Sequence, residues 1–192
     1  MSSFQAQPEL TRVFPAQCGF KKREITSQAD LDAIAACPEL NGDVILSSSL
    51  TGDITISGVE FINGDLTYDD APSLTSVTFQ DLKAIEYDLR FNNCASLVSL
   101  DFGVLKNVEE IVLQDLPALS GVSVHNFDYI QTLAIGRTAL KDFDYGLREN
   151  ATSYGIYLWD NSDLEYFMLW GSDIRLRDEL HISNSPKGTF HL

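Results

Sequence analysis

The chain has 192 residues and a mass of 21.3 kDa, with 44% apolar and 10% aromatic side chains. That is enough for one domain with a substantial core and too little for two. Thirteen Lys and Arg stand against 28 Asp and Glu, a net charge of −15 and a pI of about 4.3, so the surface repels phosphate backbones and anionic lipid and nucleic acid is excluded as a partner. No apolar run approaches the roughly 20 residues that a membrane span needs.

Residues 1–17 read as an extension, poorly ordered or part of a cap. The opening from Met1 to Leu10 holds no basic stretch followed by an apolar run, so no signal peptide is expected there. Residues 18–40 read as an N-terminal cap. Ser27-Gln-Ala-Asp30 has the form of a capping box and predicts a helix from about Gln28 to Ala36, stopped by Cys37-Pro38. Its apolar residues Leu31, Ile34 and Ala35 would face the first coil. Cys18 and Cys37 bracket this cap, 19 positions apart, a separation suited to a disulfide worth about 3 kcal/mol by chain entropy in an oxidising compartment. Cys94 stands apart and reads as a small buried filler. None of the three has C-x-x-C spacing.

From residue 41 to the end the chain repeats. Val44-Ile-Leu46, Leu66-Thr-Tyr68, Leu89-Arg-Phe91, Ile111-Val-Leu113, Leu133-Ala-Ile135, Ile156-Tyr-Leu158 and Leu180-His-Ile182 share one alternating form, at steps of 22, 23, 22, 22, 23 and 24 positions. Each is followed by a leucine (Leu50, Leu74, Leu97, Leu119, Leu140, Leu164) and a second apolar pair, from Ile54/Ile56 to Phe167/Leu169. Several units close on a third pair, such as Val59/Ile62 and Leu82/Ile85. Alternation of period two marks short strands with one buried face. Units of about 23 residues that cannot bury their apolar positions alone stack as coils at about 4.8 Å. The expected fold is therefore mainly β, a right-handed leucine-rich-repeat-like β-solenoid with a short N-terminal capping helix, of about six coils over 41–192. The last coil is incomplete, and its open edge would pair with further chain or another copy.

Three surface features stand out. The residue before each first strand is Asp43, Asp65, Asp88, Glu110, Thr132, Gly155 and Glu179. Stacked at coil spacing, the first four carboxylates either splay into water or gather a calcium ion. Late in the chain Tyr154, Tyr157, Trp159, Tyr166 and Trp170 lie beside Asp160, Asn161 and Asp163. Tyr157, Trp159 and Trp170 are the candidates for a ligand face, because flat rings beside acids and amides stack on sugars. The other reading is a packing ladder. Asn150-Ala-Thr152 is the single N-x-[ST] sequon, a glycan site if the chain is secreted. His125, His181 and His191 are isolated, and neither a nucleophile elbow nor a glycine-rich phosphate loop occurs. No enzymatic activity and no cofactor are expected.

The segment Ile25-Thr-Ser-Gln-Ala-Asp30 through Ser48, with its cysteine-flanked cap and first rung, resembles the start of receptor L-domains in fungal cell-wall-organisation and sporulation-specific proteins. Ala71-Pro-Ser-Leu74 to Glu86 and Asn92-Asn-Cys-Ala-Ser-Leu97 to Glu109 fit the same pattern. The resemblance implies a non-catalytic, glycosylated, GPI-anchored cell-surface protein needed for wall integrity, partnered by wall polysaccharide or a surface protein. The chain itself shows no leader, Ser-rich stalk or apolar anchor tail. Two locations thus stay open: the cell wall that the resemblance implies, or the cytoplasm, where the chain would be a leucine-rich-repeat-like adaptor for a basic protein.

Overall fold

The computed structural model describes residues 15–124, 127–147, 152–170, 175–185 and 189–191. The chain enters as β1 (Gly19–Ile25), passes through α1 (Gln28–Ile34) and continues as β2 (Glu39–Leu46) and β3 (Gly52–Ile56). The next coil carries β4 (Phe61–Asn63), β5 (Leu66–Asp69) and β6 (Leu74–Phe79), and the following one β7 (Ala84–Ile85), β8 (Asp88–Asn92) and β9 (Ser99–Asp101). Two strands per coil follow: β10 (Asn107–Leu116) and β11 (Gly121–Ser123), then β12 (Tyr129–Thr138) and β13 (Asp142–Gly146). The last are β14 (Thr152–Trp159) and β15 (Tyr166–Trp170), then β16 (Arg175–Ser183) and β17 (Thr189–His191).

These strands stack as a β-solenoid of about seven turns. One long parallel sheet runs its whole length: β1, β2, β4 with β5, β7 with β8, β10, β12, β14 and β16. The second strands of the coils form two shorter parallel sheets, β3-β6-β9-β11 and β13-β15-β17. The repeat sets the register. Val44 pairs with Leu66, then Leu89, Ile111, Leu133, Ile156 and Leu180 follow one above another. The six intervening leucines, Leu50 to Leu164, are all buried. Aromatic residues fill part of the interior, where Phe79 stacks on Phe102 at 5.9 Å and Tyr68 and Phe91 meet at 5.8 Å.

One rung was not foreseen. β1 reads Gly-Phe-Lys-Lys-Arg-Glu-Ile, with no apolar alternation, yet it pairs in parallel with β2. Among the described residues it has a strand partner on one side, β2, and backbone pairing holds it while its lysines reach solvent. This rung accounts for a stack one turn longer than the apolar repeat alone suggested. The helix opens on the capping box: the Ser27 side chain accepts from the Asp30 N–H, and Asp30 Oδ2 accepts from the Thr26 N–H at 3.0 Å. Leu31 and Ile34 are its buried residues, and it ends at Ile34, slightly earlier than expected.

Candidate functional site

The outward side of the long sheet displays three columns, set by the residues before, between and after the inward pairs. The first column is the acidic one. Its register places Glu110 beside Asp88 and Thr132, Thr132 beside Gly155, and Gly155 beside Glu179, while Lys22 of β1 meets Asp43. The acids have a backbone task. Ile62 precedes Leu66, and Ile85 precedes Leu89, by four positions, whereas Val108 precedes Ile111, and Ile130 precedes Leu133, by three. The additional residue splits the early rungs into β4/β5 and β7/β8 and leaves N–H groups without ladder partners. Asp43 Oδ1 accepts from the Asp65 N–H at 3.2 Å, and Asp65 Oδ1 from the Asp88 N–H at 3.1 Å, so each carboxylate closes the gap in the coil above it.

Arg90, in the middle column, donates to Asp88 Oδ2 at 2.8 Å and lies 3.8 Å from Glu110 Oε2. Burial, opposed by Arg90, raises the Asp88 carboxyl above its ordinary range, and Asp65 adds to the rise. Burial and the charge of Asp88 do the same to Glu110. In the acidic column Asp43 and Asp65 cap backbone N–H groups, while Asp88 and Glu110 stand against Arg90. Among the described residues no three Asp, Glu, His or Cys groups are gathered closely enough to hold a metal ion.

The late aromatic group divides. Tyr157 and Trp159 project from β14 onto the long sheet's outer face, in register with Ala134 and Gly136 on one side and with His181 and Ser183 on the other. Tyr166 and Trp170 belong to β15 in a different sheet, so the structure does not bring Trp170 together with the other two. Trp159 lies over Gly136. A β-carbon added there would fall nearest to Cε2 and then equally near Cζ2 and Nε1, the pattern of a point above the ring face and not at its rim. A β-carbon on Gly155 would come within 2.6 Å of Tyr157 Cε2 and 2.9 Å of its Oη, so that ring's edge covers Gly155. Both rings are half-buried.

Beside Trp159 runs a corner whose polar residues form a ladder. Asp70, Asn93, Asp115, Arg137, Asp160 and Asn184 all hold left-handed backbone, with φ of 53°, 55°, 55°, 54°, 53° and 47°. Asn and Asp tolerate this conformation because their short polar side chains bond locally, and their recurrence at the repeat step was the available signal. Neighbours in the ladder bind one another. Asn93 Nδ2 donates to Asp70 Oδ1 at 2.7 Å and Asn184 Nδ2 to Asp160 Oδ1 at 2.9 Å. Arg137 grips Asp115 through both Nε and Nη2, with Asp160 3.9 Å from its Nη1. These hydrogen bonds from Arg137 hold the Asp115 carboxyl down at about 2. The Arg137 guanidinium stands 5.8 Å from the centre of the Trp159 ring.

The next position inward is structural. Asn161, taken from the sequence as a surface amide, is buried: its Oδ1 accepts from the Thr138 N–H and Oγ1–H, and its Nδ2 donates to Ile135 O. Cys94 occupies the equivalent place three coils earlier, fully buried, with burial pushing its thiol up to about 11. Cys18 and Cys37 are joined in a disulfide. Asn150 lies outside the described residues, as does the side chain of Trp170. Away from the long sheet's centre, Phe61, Lys83, Val104, Lys106 and Asn107 line a shallow hollow, where Lys83 pairs with Glu60 at 2.7 Å. No helix among the described residues is long and apolar enough to cross a membrane.

Comparison with known proteins gives this face a setting. Over 149 residues, 77% of its length, the chain is 30% identical to the cell surface GPI-anchored protein ECM33 of Candida albicans. The similarity is to fungal cell-surface and cell-wall proteins. A second relative, the cell wall protein ecm33 of Schizosaccharomyces pombe, is 34% identical over 71 residues, 35% of this chain and 17% of the relative. The chain spans 36% of the length of the Candida relative. No family model matches the chain, and no solved structure does.

Proposed function

We propose that the chain is a non-catalytic cell-wall-organising module, displayed outside the cell, that binds wall polysaccharide or a surface protein through the outer face of the long sheet. The observation that carries this is the similarity over 77% of the chain to a cell-surface protein and, over a shorter stretch, to a cell-wall protein. The Cys18–Cys37 bridge supports it, because such bonds persist in oxidising compartments. The arrangement of reactive groups supports a binding role. Asp43 and Asp65 close backbone gaps, Asp88 and Asp115 pair with Arg90 and Arg137, and the Cys94 thiol is sealed in the core. A stack of parallel rungs presents its columns at a constant spacing of about 4.8 Å, which suits an extended partner.

The test is a non-reducing peptide map of the protein isolated from wall and cytosolic fractions of its native host. The expected result is wall-associated protein with the Cys18–Cys37 bridge intact and a glycan on Asn150. Cytosolic protein with free thiols and a bare Asn150 would refute the reading.

A further inference from the structure

We infer that Tyr157 and Trp159 form a shelf for an uncharged hexose polymer, a deeper reading that rests on the long sheet's outer face being the binding surface. Two aromatic side chains at positions i and i+2 of one strand share a face and stand about 6.8 Å apart along it. Ordinarily such rings stand up from the sheet between neighbouring side chains. Here the neighbours have been removed: Gly136 lies beneath the indole, Gly155 beneath the edge of the phenol, and Ala134 occupies the place beside Tyr157 in the preceding coil. The indole therefore lies down on the backbone and turns its second face outward.

The surroundings fix the class of ligand. An aromatic face attracts polarised C–H groups, and the underside of a hexopyranose is a patch of C–H bonds rimmed by hydroxyls. Hydroxyls need donors and acceptors held in place. Arg137, clamped by Asp115, reaches over the Trp159 ring, Asp160 follows it at the corner, and Ser183 and His181 flank the two rings in the next coil. The polymer is uncharged because the chain carries −15 overall and the acids of the face repel uronate or phosphate groups. A protein partner would need a packed apolar centre with convergent pockets, whereas this shelf is shallow and rimmed with polar groups.

The experiment is affinity electrophoresis of the full 192-residue chain through gels containing a soluble neutral glucan, a soluble mannan or polygalacturonate. Retardation is expected in at least one neutral gel and not in polygalacturonate. Trp159→Leu, which keeps an apolar cover but loses the flat face, is expected to weaken retention at least tenfold. Gly136→Ala is the sharper variant, because its methyl group displaces the indole without removing it, and the same loss is expected in a protein that still unfolds cooperatively. Absence of retardation in both neutral gels, retardation by polygalacturonate alone, or retention that survives both substitutions would overturn the shelf. The wider reading of the face fails separately, if charged substitutions elsewhere on it leave wall function in the host intact.

Discussion

Asn161→Ala is the substitution whose cost the structure specifies most fully. Asn161 is 1% exposed and its side chain makes three hydrogen bonds, accepting from the Thr138 N–H at 3.1 Å and Thr138 Oγ1–H at 2.9 Å and donating to Ile135 O at 3.0 Å. Every one of them joins its coil to the preceding coil. With about 1 kcal/mol net per bond, truncation costs about 3 kcal/mol, with a further contribution if the Thr138 N–H stays buried without an acceptor. For a chain of this size that corresponds to a fall in Tm of roughly 6–12 °C. Urea unfolding followed by circular dichroism measures it. Asn161→Asp sharpens the test, since it keeps the acceptor, loses the donor and buries a charge. Its penalty is expected to grow as pH rises through the carboxylate range. A loss below about 1 kcal/mol for the alanine variant would refute the assignment of this amide as a coil-to-coil staple.

Other outcomes follow from the same geometry. Asp88, Glu110 and Asp69 have raised carboxyl pKa values, chiefly through burial, so the native state binds more protons there and stability is expected to fall as pH rises through their folded values. Asp115 is held down at about 2 by Arg137, so its contribution is present above the unfolded carboxylate pKa and is lost as pH falls towards 2. Because the pair is partly exposed it is worth only about 0.5–1 kcal/mol. Maximum stability in thermal melts is thus expected at mildly acidic pH, and a maximum at pH 8 would contradict this. Replacing Cys18 and Cys37 together by serine is expected to cost about 3 kcal/mol in urea unfolding, and no change would mean the cap is held without the bridge. Cys94 is expected to resist thiol reagents in the native protein at neutral pH and to react on unfolding. Rapid native labelling would place it outside the core.

The sequence revealed those parts of the fold that depend on burial. The first apolar pairs from Val44 to Leu180 stack in the register their spacing implied, because a one-residue slip would expose every inward side chain. The remaining features depend on the backbone. β1 pairs through main-chain groups and has no apolar rhythm. The left-handed corner from Asp70 to Asn184 is a conformational requirement, which Asn and Asp satisfy readily but Arg137 disguises. Asn161 reads as solvent-facing by residue type, and a buried amide becomes visible once Thr138 is seen one coil away. The sequence singled out Tyr157 and Trp159. It did not show that Gly136 and Gly155 make room for their rings, a relation between coils and not between neighbours.

The most direct test of the account places bulky charge on the long sheet's outer face in the native host. Val112 and Ala134 are half-buried neighbours in the middle column, between Arg90 on one side and Tyr157 on the other. Val98, 45% exposed, lies away from that sheet and serves as the control. Wall integrity under stress is the readout, with wall-bound protein measured in parallel. The account predicts that Val112→Arg with Ala134→Arg abolishes function while the protein still reaches the wall, and that Val98→Arg changes nothing. Full function in the double variant would contradict the claim that this face is where the protein acts.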